Sequence, residues 1–91
     1  MKIRITDDRK EKTEFYDGEI SLQDMYNILL ELSKLTIFGL IGMLPTIREI
    51  YIYTGDKYGS VEIEFVLNNE NLYIRNAHLA QILTDSLKNI I

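Results

Sequence analysis

Isoleucines and polar residues alternate over residues 1–6, a period of two that is typical of a strand with one buried face. We therefore predict a first strand there. The charged residues 7–10 predict a solvated turn, and residues 13–16 predict a second strand at the edge of a sheet. The Asp17-Gly18 pair is expected to end this second strand.

A helical pattern begins at Ser21, whose hydroxyl is suited to accept a hydrogen bond from the backbone N–H of Asp24. Apolar residues then recur at spacings of three and four, which predicts an amphipathic helix. Pro45 disfavours helical geometry at the residue before it, so we predict that the helix ends between Phe38 and Leu44. The predicted apolar stripe is Leu22, Met25, Tyr26, Leu29, Leu32 and Leu35.

Three further alternating segments, residues 50–53, 61–67 and 72–75, predict an antiparallel meander. Asn76 is the expected cap of a last helix, with an apolar stripe formed by Leu79, Ile82, Leu83, Leu87 and Ile90. The predicted order is ββαβββα in one domain covering residues 1–91. We predict an α+β, two-layer fold with a mainly antiparallel sheet and two helices packed on one face.

Alternation also predicts which polar side chains share the face of the sheet turned away from the core. Tyrosine and arginine are enriched at contact hot spots, so we predict that this face binds another protein. An ordinary solvated sheet is the competing interpretation, because tyrosine is also favoured in strands. The predicted partner-binding residues are Tyr51, Tyr53, Glu62, Glu64, Tyr73 and Arg75.

The segment Leu35 to Ile47 carries no charge over its 13 residues. It is too short to span a bilayer as a helix, which needs about 20 apolar residues. It is either core or an exposed apolar patch, and such patches usually mark interfaces. We predict a homodimer that uses Phe38, Leu40, Ile41 and Met43.

Composition narrows the classes of function. The net charge of -4 repels phosphate backbones and anionic membranes, so neither duplex nucleic acid nor a membrane is an expected partner. With no cysteine and the single histidine His78, no catalytic or metal-binding motif is recognisable. We therefore expect no cofactor and no enzymatic activity. The absence of cysteines and of a signal-peptide pattern at the amino end favours a cytoplasmic location.

From residue 21 onward, the predicted order αβββα is similar to that of double-stranded-RNA-binding domains. Those domains hold phosphates with lysines at the start of the last helix, whereas the segment from Asn76 to Gln81 contains none. The resemblance covers topology without a motif and transfers no function. The leading hypothesis is a small protein-binding module, such as an inhibitor or adaptor. The alternatives are a self-assembling structural subunit and a binder of small ligands or single-stranded nucleic acid.

Overall fold

A computed structural model describes the protein over residues 1–32, 42–55 and 61–91. The strands in these ranges are β1 (Lys2–Asp8), β2 (Glu14–Glu19), β3 (Glu49–Gly55), β4 (Ile63–Val66) and β5 (Asn71–Ile74). The helices are α1 (Leu22–Glu31) and α2 (Ala77–Lys88), and a 3₁₀ turn, Leu44–Thr46, precedes β3. The predicted α+β class is confirmed, and the order of elements follows the prediction. Helix α1 ends at Glu31, so the predicted end between Phe38 and Leu44 is wrong for this helix, and residues 33–41 lie outside the described ranges.

The strands form one five-stranded sheet in the order β2-β1-β3-β4-β5. Neighbouring strands are antiparallel except β1 and β3, which run parallel. This parallel pair follows from the path of the chain, because β2 leads into α1 and the chain then returns beside β1 instead of beside β2. The sheet is therefore mostly antiparallel, as predicted, but mixed at its centre.

One hydrophobic cluster joins one face of the sheet to both helices. The isoleucines of β1 pair in register with those of β3, so their side chains lie on the same face. Both helices bury their apolar sides against that face, and no helix of the described residues covers the other face of the sheet. The largest fully buried side chains include Ile3, Ile5, Ile50, Ile63, Phe65, Met25, Leu29, Leu79, Leu83 and Leu87.

Both predicted helix caps are present. The Ser21 hydroxyl oxygen accepts from the backbone N–H of Asp24 at 3.1 Å, and the Asn76 side chain accepts from that of Leu79 at 3.0 Å. Each cap satisfies an N–H group that has no partner within the helix and stabilises the fold by about 1 kcal/mol. The two caps fix where the helices leave the sheet.

Asp17 and Gly18 lie inside β2, so the prediction that they end this strand is wrong. Gly18 is the partner of Ile3 in the antiparallel ladder, on the face that carries the core. A Cβ added at Gly18 would lie only 2.7 Å from Cβ of Ile91. The glycine is therefore tolerated in the strand because it leaves room for Ile91 to pack there.

Asp7 and Asp8 are each only 1% exposed and belong to β1, so the prediction of a solvated turn is wrong for these two residues. Arg9 donates to both carboxylate oxygens of Asp7, from Nε at 2.9 Å and from Nη2 at 2.8 Å. Lys88, at the end of α2, donates to Asp7 at 3.1 Å, and Arg9 also pairs with Asp85 at 2.7 Å. These contacts compensate the buried charge and tie α2 to β1.

Candidate functional site

The face of the sheet opposite the helices carries one row of side chains that crosses all five strands. Each member is the Cα partner of the next one on the neighbouring strand, so the side chains share one face. We call this set the cross-sheet row. From β2 to β5 its members are Asp17, Arg4, Tyr51, Glu64 and Tyr73.

The first part of the row is an ion pair beside an aromatic ring. Nε of Arg4 donates to Oδ1 of Asp17 at 3.0 Å, and this hydrogen bond raises the pKa of Arg4. The guanidinium carbon of Arg4 lies 5.5 Å from the centre of the Tyr51 ring, within the range of a cation–π contact. The positive charge of Arg4 is thus already compensated within the chain.

The second part of the row is a carboxylate between two tyrosines. Glu64 is the Cα partner of both Tyr51 and Tyr73, on strands to either side. Oε2 of Glu64 accepts from Nδ2 of Asn71 at 2.7 Å. The Tyr51 hydroxyl donates to Glu49, and this hydrogen bond raises the pKa of Tyr51. Tyr73 is 55% exposed, so this part of the row is open to a partner.

The remaining predicted partner-binding residues lie beside the row. Tyr53 follows Tyr51 by two residues on β3, and its hydroxyl donates to Asp8 at 3.2 Å. Glu62 immediately precedes β4, and its carbonyl accepts from the backbone N–H of Tyr53 at 2.7 Å. Arg75 is exposed immediately after β5. The binding role of all six residues stays a prediction.

Two shallow hollows border the row. A hollow of about 300 Å³ lies around Arg4, Asp17 and Tyr51, and one of about 150 Å³ lies beside Tyr51, Tyr53 and Glu64. Ligand pockets usually measure about 300–1,000 Å³. The first hollow lies at the lower end of this range and the second lies below it, and the exposed Tyr73 is available for contact with side chains of another molecule.

Arg4, Asp17, Glu49 and Asn71 belong to this surface but were not among the predicted site residues. The sequence does signal that Arg4 faces away from the core, because it lies between two buried isoleucines. It does not signal that Arg4 lies beside Tyr51, because that contact depends on β1 and β3 being neighbours. The composition of the surface therefore follows from strand order, which alternation leaves open.

A second surface lies on α1, where Leu22, Tyr26 and Leu30 are 50%, 40% and 48% exposed. We call these three residues the helix stripe. Leu22 belongs to the apolar stripe that the sequence predicts, whereas the sequence leaves open whether Tyr26 is exposed. Both are exposed, and the buried side of α1 is centred on Met25 and Leu29. At about 100° of rotation per residue, Tyr26 lies roughly 80° from that centre. The stripe continues into a hollow of about 230 Å³ that Leu44 and Pro45 also line.

The predicted dimer interface is only partly described. Phe38, Leu40 and Ile41 lie outside the described residues, whereas Met43 is half-buried against the hydrophobic core. Its role in a dimer stays a prediction. Met43 also lines a hollow of about 240 Å³ beside the loop that joins β4 to β5.

Other chemistry has little support in the described ranges. His78 is exposed on the first turn of α2. Among residues 1–32, 42–55 and 61–91, no group of three or more histidine, aspartate or glutamate side chains is placed to hold a metal ion. In the same ranges, no helix combines the length and the apolar character needed to cross a membrane.

No protein-family model matches the chain, and neither the curated proteins nor the solved structures contain a significant match. A fold of this class is compatible with many unrelated functions. The chemistry of the two exposed surfaces is therefore the basis for assigning a function.

Proposed function

We propose that this protein is a non-enzymatic module that binds another protein through the outer face of its sheet. The observation that carries the proposal is the cross-sheet row, in which Tyr51 and Tyr73 flank Glu64 on a face that neither α1 nor α2 covers. Tyrosine supplies a large contact area with only two side-chain torsions to immobilise, so it binds partners at a low entropic cost. An inhibitor or adaptor fits such a surface.

The carboxylates on this face favour a protein over nucleic acid. Aromatic rings on a sheet can stack with unpaired bases, but nucleic-acid platforms also need cations that contact the backbone. Here Glu49 accepts from the Tyr51 hydroxyl and Glu64 lies between the two rings, while Arg4 is paired with Asp17. Phosphates approaching the tyrosines would therefore meet negative charge.

A photo-crosslinking experiment tests the proposal. Benzoylphenylalanine replaces Tyr73 on the sheet face in one variant and Tyr26 on the helix stripe in another, both in the full chain. Each variant is irradiated in an extract of the source cell, and adducts are identified by mass. We expect a protein adduct at position 73 that the unlabelled wild-type chain competes away. An adduct confined to position 26 would contradict the use of the sheet face.

Self-assembly is the second candidate, and the helix stripe favours it. Three large apolar side chains at spacings of four residues are exposed on α1, and none of them carries a charge that would repel its own copy. Exposed apolar patches usually mark interfaces. A second copy of this chain is the occupant that this candidate requires, and its oligomeric state provides the test.

A further inference from the structure

We infer that the protein partner presents an arginine or lysine side chain, which docks over Glu64 between Tyr51 and Tyr73. This inference rests on the proposed function, because it names the chemistry of the partner for the same face. It starts from the order of charges along the cross-sheet row. From β2 to β5 the row contains an anion, a cation, an aromatic ring, an anion and a second aromatic ring.

In the first half of the row the charges of Arg4 and Asp17 compensate each other, whereas in the second half the charge of Glu64 has no ion-pair partner among the described residues. Arg4 fills the position between the Asp17 carboxylate and the Tyr51 ring. In the described part of the chain, neither Glu64 nor Glu49 forms an ion pair, and the hydrogen-bond donors to them are neutral groups of Asn71 and Tyr51. The second half of the row itself thus contains negative charge and aromatic surface but no cation, and the cations beside it, Lys2 and Arg75, form no ion pair with Glu49 or Glu64 in the described residues.

A guanidinium or ammonium group over Glu64 would gain from three sources. The carboxylate would accept a charge-assisted hydrogen bond, and the faces of Tyr51 and Tyr73 would attract the cation from both sides. Glu49 adds a second negative charge beside the Tyr51 ring, because its carboxylate accepts from the Tyr51 hydroxyl. The hydrogen bond to Glu49 and the charge of Glu64 both raise the pKa of Tyr51. Arg4 demonstrates the compatible geometry, with its guanidinium 5.5 Å from the same ring.

An acidic partner does not fit this surface. The hollow beside the row is lined by three carboxylates, Asp17, Glu19 and Glu49, and by two cations, Lys2 and Arg4. Arg4 is paired with Asp17, and Glu64 adds a further carboxylate in the row, so negative charge exceeds positive charge on this surface. The whole chain carries a net charge of -4, which steers cationic segments toward it and repels anionic ones. Charge complementarity therefore selects a basic segment of the partner.

The direct test uses a single guanidinium group as the probe. N-acetyl-arginine methylamide is titrated into the full chain at low salt while backbone amide signals are followed by NMR, and the neutral citrulline analogue serves as the probe control. We expect saturable shifts centred on Tyr51, Glu64 and Tyr73 with the arginine compound only. Equal shifts with both compounds, or shifts spread evenly over exposed carboxylates, would overturn the inference.

Matched variants locate the site. Glu64→Gln removes the charge and keeps the shape, so we expect it to weaken binding of the probe at least 5-fold. Glu31→Gln removes the same charge from the exposed end of α1, outside the sheet, and should leave the affinity unchanged. Unchanged affinity in Glu64→Gln would also overturn the inference.

Partner capture separates failure of the inference from failure of the proposed function. If Tyr73→Ala abolishes capture of the crosslinked partner while Glu64→Gln preserves it, the sheet face binds a protein but the cationic side chain is refuted. If capture survives Tyr73→Ala and Tyr51→Ala together, the proposed function itself fails. Loss of capture in both Glu64→Gln and Tyr73→Ala, with Glu31→Gln unaffected, supports both.

Discussion

At the scale of single residues, the Asp7 carboxylate near the end of β1 is buried, and burial of a charge lowers stability unless other groups compensate it. Arg9 holds both of its oxygens and Lys88 contacts one of them, so the charge is compensated by two cations. The hydrogen bonds from Arg9 are the main reason why the pKa of Asp7 lies well below its usual range. Removing the carboxylate would leave two cations facing each other at a partly buried site.

We expect Asp7→Asn to lower the free energy of unfolding by about 3 kcal/mol, because breaking a buried ion pair leaves its partners uncompensated. Asp85→Asn is the matched control. Asp85 binds the same Arg9 but is 62% exposed, and an exposed ion pair contributes about 1 kcal/mol or less. Urea unfolding monitored by circular dichroism measures both changes. Equal destabilisation by the two variants would refute the special role of Asp7.

Asp7 should also make stability depend on pH at the acidic end. Its pKa is lowered in the folded state from an ordinary value of 3.8, so its ionised form stabilises the fold above that value. As the pH falls below about 4, the unfolded chain takes up the proton first and this contribution is lost. The difference in unfolding free energy between wild type and Asp7→Asn should therefore shrink from pH 5 to pH 2. A difference that stays constant over this range would contradict the linkage.

Gly18 provides a test of packing at a single position. Gly18→Ala places a Cβ at 2.7 Å from Cβ of Ile91, and overpacking of this kind costs about 1–3 kcal/mol. In an Ile91→Gly background the obstructing Cβ is absent, so the same substitution should cost less than half as much. Melting temperatures of the four chains in this double-mutant cycle measure the coupling. Additive effects would mean that the two residues do not compete for the same space.

The sequence predicted the role of a residue well where its neighbours in sequence determine that role, and poorly where residues far away in sequence determine it. Ser21 and Asn76 were correctly predicted as caps, because a cap depends only on the next few residues. Asp7 was misassigned to a solvated turn, because one of its compensating cations, Lys88, is 81 positions away in sequence. The coupling of Gly18 to Ile91 has the same origin, since no local pattern reveals which distant side chain fills the space above a glycine.

At the scale of elements, alternation predicted the two faces of β3 to β5, because a strand with one buried face has only one acceptable register. Ile50, Ile52 and Phe65 are buried, and Tyr51 and Tyr73 lie on the opposite face. The neighbour of β3 on its other side was not predictable by the same rule. Because alternation does not show that β1 is the other neighbour of β3, the sequence identified the tyrosines of the site and missed Arg4 and Asp17.

In helix α1 the periodic pattern predicts too wide a buried face, because the apolar residues cover more of the helix than the side that packs in the core. Leucines and a tyrosine cover so much of the circumference that periodicity alone places Leu22 on the apolar stripe and leaves the exposure of Tyr26 undecided. The sheet reaches only the side with Met25, Ile28 and Leu29. The excess apolar residues form the exposed helix stripe.

The two faces of the sheet should respond differently to truncation. Phe65→Ala creates a cavity at a fully buried site and should cost about 3–5 kcal/mol. Tyr73→Ala removes a ring that is 55% exposed on an edge strand, and we expect a loss of less than about 1 kcal/mol. Urea unfolding gives both values, and partner capture by Tyr73→Ala then reports on binding alone. If Tyr73→Ala unfolds as readily as Phe65→Ala, the assignment of the faces is wrong.

At the scale of the whole molecule, a chain of 91 residues buries a small core, and the helix stripe leaves three large apolar side chains about half exposed. Burying them against a second copy would recover about 25 cal/mol for each Å² of apolar surface. A stable dimer usually buries about 800 Å² per partner, which exceeds what three side chains provide. The predicted self-association is therefore weak, unless residues 35–47 add to the contact.

We expect sedimentation velocity to show a concentration-dependent monomer–dimer equilibrium, with a dissociation constant on the order of 100 µM for the weak case. Tyr26→Glu places a charge in the middle of the stripe and should keep the chain monomeric at every concentration. Gln23→Glu is the matched control, because it adds the same charge to an exposed polar position on the same helix. If both variants dimerise like the wild type, the stripe is not the interface. A wild type that stays monomeric at several hundred micromolar would instead remove the self-assembling subunit as a candidate and leave the sheet face as the surface to pursue.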